Sequence, residues 1–138
     1  LLLLSAAFSI VFASCQNKQV ENKDQKLSDQ AIAIHDEIMP QISSFDKTTI
    51  VIDSIISNLA TIKTSKAELD TAKARVDLSN LKDSIENATD NMMTWMKDYD
   101  AMNEDETYQQ KEVDKITAMK KQFERVSENI KSTLAAYN

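Results

Sequence analysis

His35 is the only histidine of the chain and is followed four residues later by Met39; further along, Met92, Met93, Trp95 and Met96 crowd together. Imidazole and thioether are soft, neutral donors that suit Cu(I), and thioethers persist in oxidising compartments where free thiols are lost. Trp95 is the only indole, and the face of its ring would add cation–π attraction to a bound ion. Spacing by four puts His35 and Met39 on one helical face. The expectation is a copper(I) site made of His35, Met39, Met92, Met93 and Met96, with Trp95 beside it. Its ligand set looks like that of periplasmic copper-handling β-barrels, in chemistry and not in fold. The alternative for the same residues is ordinary core packing, because Met fills irregular gaps and sulfur–aromatic contacts form without a metal.

Cys15 is the other residue with a chemistry of its own. It is the only cysteine and closes the uncharged, apolar run Leu1 to Ser14, with Ala13 and Ser14 just ahead and Gln16-Asn17-Lys18-Gln19 behind. The run is shorter than the roughly 20 residues a spanning helix needs and ends in small residues, as signal peptides do. The expectation is a lipoprotein signal over 1–14, its n-region missing from the sequence, and lipidation at Cys15, with simple secretory cleavage as the alternative. Phe12 stands where such signals usually carry an aliphatic residue. Two or three acyl chains would hold the protein firmly on a membrane, where one alone binds marginally.

Bringing His35 to the methionines takes a chain reversal. Residues 15–26 read as the lipidated cysteine and a flexible tether with a single apolar residue after Cys15, Val20. Apolar residues then recur by threes and fours in three segments: Leu27, Ala31, Ile34, Ile38, Phe45, Ile52, Ile55, Leu59 and Ile62; Leu78, Leu81, Ile85, Ala88, Met92, Trp95, Tyr99 and Met102; Val113, Ile116, Met119, Phe123, Val126, Ile130, Leu134 and Tyr137. These are amphipathic helices, about 27–62, 66–102 and 105–137. Each should reach about 50 Å. Thr61 to Ser65 supplies a polar turn, and Asn103 with Glu106 has capping-box spacing. Short connections make the helices antiparallel, so the expected fold is an all-α, up-down-up three-helix bundle with coiled-coil-like packing. An extended coiled coil that oligomerises is the rival. Folding about Thr64 puts His35 opposite Met93, each 29 residues from the turn.

Pro40 removes the hydrogen bond to the carbonyl of Asp36, so a structural kink or restart is expected there. The bend either wraps the first turns over the bundle or shapes a site beside His35 and Met39.

The absence of Gly and the single Pro argue against sheets with tight turns and against phosphate-cradling loops. A net charge of −6 disfavours nucleic acid as a partner. No Glu-x-x-His pair supports a di-iron site, no attachment motif supports haem, and no second histidine supports a catalytic dyad, so an enzyme is not expected.

The segments His35-Asp36-Glu37-Ile38-Met39-Pro40 and Met92-Met93-Thr94-Trp95-Met96 resemble a group of small helical lipoproteins from Bacteroidota, often labelled "viral A-type inclusion protein". The resemblance implies an envelope lipoprotein with coiled-coil character and brings no established activity. The expected role is a non-enzymatic structural or protein-binding module, touching a membrane through lipid on Cys15 and an envelope protein partner; the alternative is a periplasmic copper(I) binder. No acidic run follows Cys15, so the expected address is the outer membrane, facing the periplasm.

Overall fold

The computed structural model describes residues 22–137; the signal segment, Cys15 and most of the tether lie outside them. Three helices follow one another: α1 (Lys23–Ser65), α2 (Thr71–Asp98) and α3 (Glu106–Leu134), the last ending in a 3-10 turn, Ala135–Tyr137. Each packs against the other two, giving the all-α three-helix bundle. The cross-helix pairs fix the directions. His35 and Asp53 of α1 meet Trp95 and Lys82 of α2, so these helices are antiparallel. Glu37 and Phe45 of α1 meet Lys120 and Phe123 of α3, so those run parallel.

The core is a coiled-coil seam. On α1 every seventh residue is buried: Ala31, Ile38, Phe45, Ile52 and Leu59. On α2 the buried positions alternate by four and three through Ala74, Leu78, Leu81, Ile85, Ala88, Met92 and Trp95. Such a strict repeat of seven keeps the apolar seam on the partner only if the helices supercoil gently to the left. Phe45 and Phe123 stack across the middle with ring centroids 4.9 Å apart. Leu27, Ile34, Ile55, Met119, Ile130, Leu134 and Tyr137 pack on this core from its margins.

The helix ends differ from the expectation, and caps explain how. α1 begins at Lys23, taking residues 23–26 out of the tether; the backbone N–H of Lys26 already bonds to the carbonyl of Asn22. α2 begins at Thr71, because the Asp70 carboxylate accepts from the backbone N–H groups of Ala72 and Lys73. It stops at Asp98, not Met102. The cap of α3 is Asp105, whose carboxylate accepts from Thr107 N–H, while Asn103 accepts from Asp105 N–H; Asn103 and Glu106 make no capping box. α1 therefore holds 43 residues against 28 and 29 for its partners, and at 1.5 Å per residue it reaches about 65 Å, not 50.

α1 runs through Pro40 without interruption, so the helix does not restart there. Pro40 and Asp36 are both exposed, so the lost N–H falls on the solvent side of the rod, where its cost is least.

Candidate functional site

The side chains of chemical interest gather at the end of the bundle formed by the first turns of α1, the last turns of α2 and the connection 99–105. The imidazole of His35 lies over the indole of Trp95, with centroids 5.9 Å apart and planes tilted by 31°. The register is thus two residues beyond Met93, because the chain does not turn at Thr64: α1 continues to Ser65 and five further residues make the connection. Trp95 in turn stacks on Tyr99 at 4.5 Å, and Tyr99 on Tyr108 at 6.4 Å. Four rings, one from each helix and one from the connection, form one column.

A notch of about 260 Å³ opens beside this column, lined by Ile32, His35, Asp36, Trp95, Met96, Tyr99 and Ala101. Of the five donors expected for copper, the notch brings together His35 and Met96. Met92 is fully buried in the core, where it completes the α2 seam. Met39 packs against the core from its margin and does not line the notch. Met93 is exposed and lies outside it. Helical geometry accounts for the scatter: residues 92, 93 and 96 leave the axis in different directions, and the seam claims the first. Among the described residues no group of three or more His, Cys, Asp or Glu side chains is placed to hold a metal ion.

Asp36 gives the imidazole its tautomer. Its carboxylate oxygen is 2.9 Å from Nδ1 of His35, and a carboxylate only accepts. In the neutral ring the proton therefore sits on Nδ1 and the lone pair on Nε2. The His35 side chain is only 20% exposed, against 70% for Asp36.

On the other side of the column lies a buried polar network that the apolar stripes did not announce. The phenol of Tyr99 points its hydroxyl at Ser28 Oγ (3.0 Å) and Gln109 Oε1 (2.9 Å). Ser28 donates to the carbonyl of Ala101. The amide nitrogen of Gln109, fully buried, donates to the carbonyls of Asp100 and Asn103 at 3.1 and 2.8 Å. Burial is the main cause that pushes the Tyr99 phenol above its ordinary value, against the opposing pull of the Ser28 hydrogen bond. Trp95 Nε1–H donates to the buried carboxylate of Glu112 at 2.9 Å, and Lys115 caps its other oxygen at 2.6 Å. The N–H edge of Trp95 is thereby fixed, while its ring stacks on Tyr99 and meets His35. The sequence does carry a trace of this: the α3 stripe continued back from Val113 by four lands on Gln109, a polar residue at a seam position.

A larger cleft of about 630 Å³ runs between α2 and α3 on the same side as Glu112, with Trp95, Tyr108, Lys115, Met119 and Arg125 among its walls. No helix among the described residues is long and apolar enough to cross a membrane.

Comparisons with protein-family models, with curated proteins and with solved structures found no match.

Proposed function

We propose that the chain is a non-enzymatic, lipid-anchored helical module of the bacterial cell envelope with a structural or protein-binding role. The sequence around Cys15 supports the anchor, and the likeness of the His35–Pro40 and Met92–Met96 segments to small helical lipoproteins agrees with it. Seven residues separate Cys15 from Lys23, where α1 starts. Fully stretched, they reach about 25 Å, so the bundle would stand close to the bilayer with its aromatic end toward it.

The observation that carries the binding role is the connection 99–105. Gln109 holds the carbonyls of Asp100 and Asn103, on either side of Met102, and the Asp100 carboxylate accepts from Met102 N–H. A connection pinned so firmly nevertheless leaves Met102 85% exposed. A soft, adaptable methionine side chain on a rigid tip suits contact with another protein.

Two measurements test the reading. Intact-mass analysis of protein from its own membrane should show a diacylated or triacylated Cys15; an unmodified soluble chain refutes the anchor. A photo-cross-linker at position 102 should capture one defined envelope protein, and the same group at the exposed Ile50 should not. Recovery of free monomer alone from position 102 refutes the binding role. Protease added to intact cells should leave the bundle uncut if it faces the periplasm.

A further inference from the structure

We infer that the notch between α1 and α2 is a low-coordinate site for a soft monovalent cation, Cu(I), held by Nε2 of His35 and the sulfur of Met96 and capped by the face of Trp95. The inference does not rest on the envelope reading, since the site belongs to the bundle itself.

Three features point to a ligand of this kind. His35 and Met96 come from different helices and line the same small notch, whose other walls are mostly apolar: Ile32, Trp95, Tyr99 and Ala101. Imidazole and thioether in an apolar surround select a soft ion over Mg²⁺ or Ca²⁺, which need several oxygen donors. Asp36 accepts the Nδ1 proton of His35, which leaves Nε2 as the nitrogen able to ligate. This carboxylate–imidazole pair is the arrangement that orients histidine ligands in metal proteins. The indole of Trp95 lines the same notch, and a cation within about 6 Å of the face of such a ring is attracted to it.

The site is smaller than the sequence alone suggests. Met39 and Met92 serve the core, and Met93 lies outside the notch. Asp36 becomes a positioning residue. The chain's net charge of −6 favours the approach of a cation.

The test uses the full chain with its single thiol alkylated, because a free Cys15 thiolate would bind Cu(I) by itself. Cu(I) is titrated under reducing conditions against a colourimetric chelator, with fluorescence of Trp95, the only tryptophan, as a second readout. The expected result is one equivalent bound with quenching of Trp95. His35→Gln and Met96→Leu should each abolish uptake at the chelator concentration that the unaltered chain survives, with helical circular dichroism unchanged. Asp36→Asn should weaken binding by about tenfold, the lower end for a group that orients a ligand. Met93→Leu should bind as the unaltered chain does. No uptake, or uptake indifferent to His35→Gln and Met96→Leu, overturns the proposal, whatever intact-mass and cross-linking experiments say of the anchor and the partner.

Discussion

Replacing Gln109 by Leu keeps the size of a fully buried side chain and removes all of its hydrogen bonds. The carbonyl of Asn103 loses its donor, and that of Asp100 keeps only the backbone N–H of Asn103 at 3.3 Å. Tyr99 keeps a partner, because its hydroxyl can still donate to Ser28. Each of the two hydrogen bonds lost costs about 1 kcal/mol net, and the one to Asn103 more where water cannot reach the carbonyl left behind. The expected loss is therefore about 2 kcal/mol, which for a domain of this size lowers the melting temperature by about 8 °C. With a slope of about 2 kcal/mol per molar urea, the midpoint should fall by about 1 M. Gln109→Glu sharpens the test. It restores an acceptor to Tyr99 but sets a carboxylate against two carbonyl oxygens, so it should be worse than Leu at neutral pH. Burial and those oxygens would raise the acid's pKa in the folded state above its unfolded value. The folded state then binds the proton more tightly, and stability should recover on acidification and fall again as pH rises. Thermal and urea melts of the three proteins at two pH values decide the matter. If Gln109→Leu melts within about 0.5 kcal/mol of the unaltered chain, the network does not hold the connection as described.

Phe123→Ala removes a fully buried ring that stacks on Phe45, and should cost about 3–5 kcal/mol in urea melts; a loss under about 1 kcal/mol contradicts the core. Thr89 carries a buried hydroxyl without a hydrogen-bond partner among the described residues. Thr89→Val should therefore be neutral or stabilise by about 1 kcal/mol, and clear destabilisation would show that the hydroxyl has a partner. Asp70→Ala deletes the acceptor for two backbone N–H groups at the start of α2, and should cost about 1 kcal/mol with faster hydrogen exchange at Ala72 and Lys73. The Tyr99 phenol is raised, chiefly by burial, so the folded state keeps that proton longer than the unfolded chain does. Its contribution is complete below the unfolded value near 10 and is lost as pH climbs through the folded one. Tyr99→Phe should flatten the alkaline decline in stability; an unchanged slope refutes this.

The three-helix bundle was legible because its signal is periodic. Phe45, Ile52 and Leu59, or Leu78, Leu81 and Ile85, mark a seam whatever their neighbours do. Helix ends were less legible, since they are set by single hydrogen bonds: Asp70 and Asp105 outcompete Lys66 and Asn103 as starting points. That difference moved the level of His35 from Met93 to Trp95, a shift that changes which side chains share a surface. The candidate site was legible as a neighbourhood. It was not legible as a ligand set, because direction around an axis separates Met92, in the core, from Met96, on the notch. Ser28, Gln109 and Glu112 were hidden for another reason: polar residues at seam positions look like interruptions until their partners on other elements are known.

The chain's single imidazole and single indole make the central juxtaposition directly measurable. In the nuclear Overhauser spectrum of the full chain, protons of His35 should show cross-peaks to the indole of Trp95 and to the Met96 methyl group. Cross-peaks from His35 to Met93 in their place, or none to the indole, would contradict both the register of α1 on α2 and the cation site built on it.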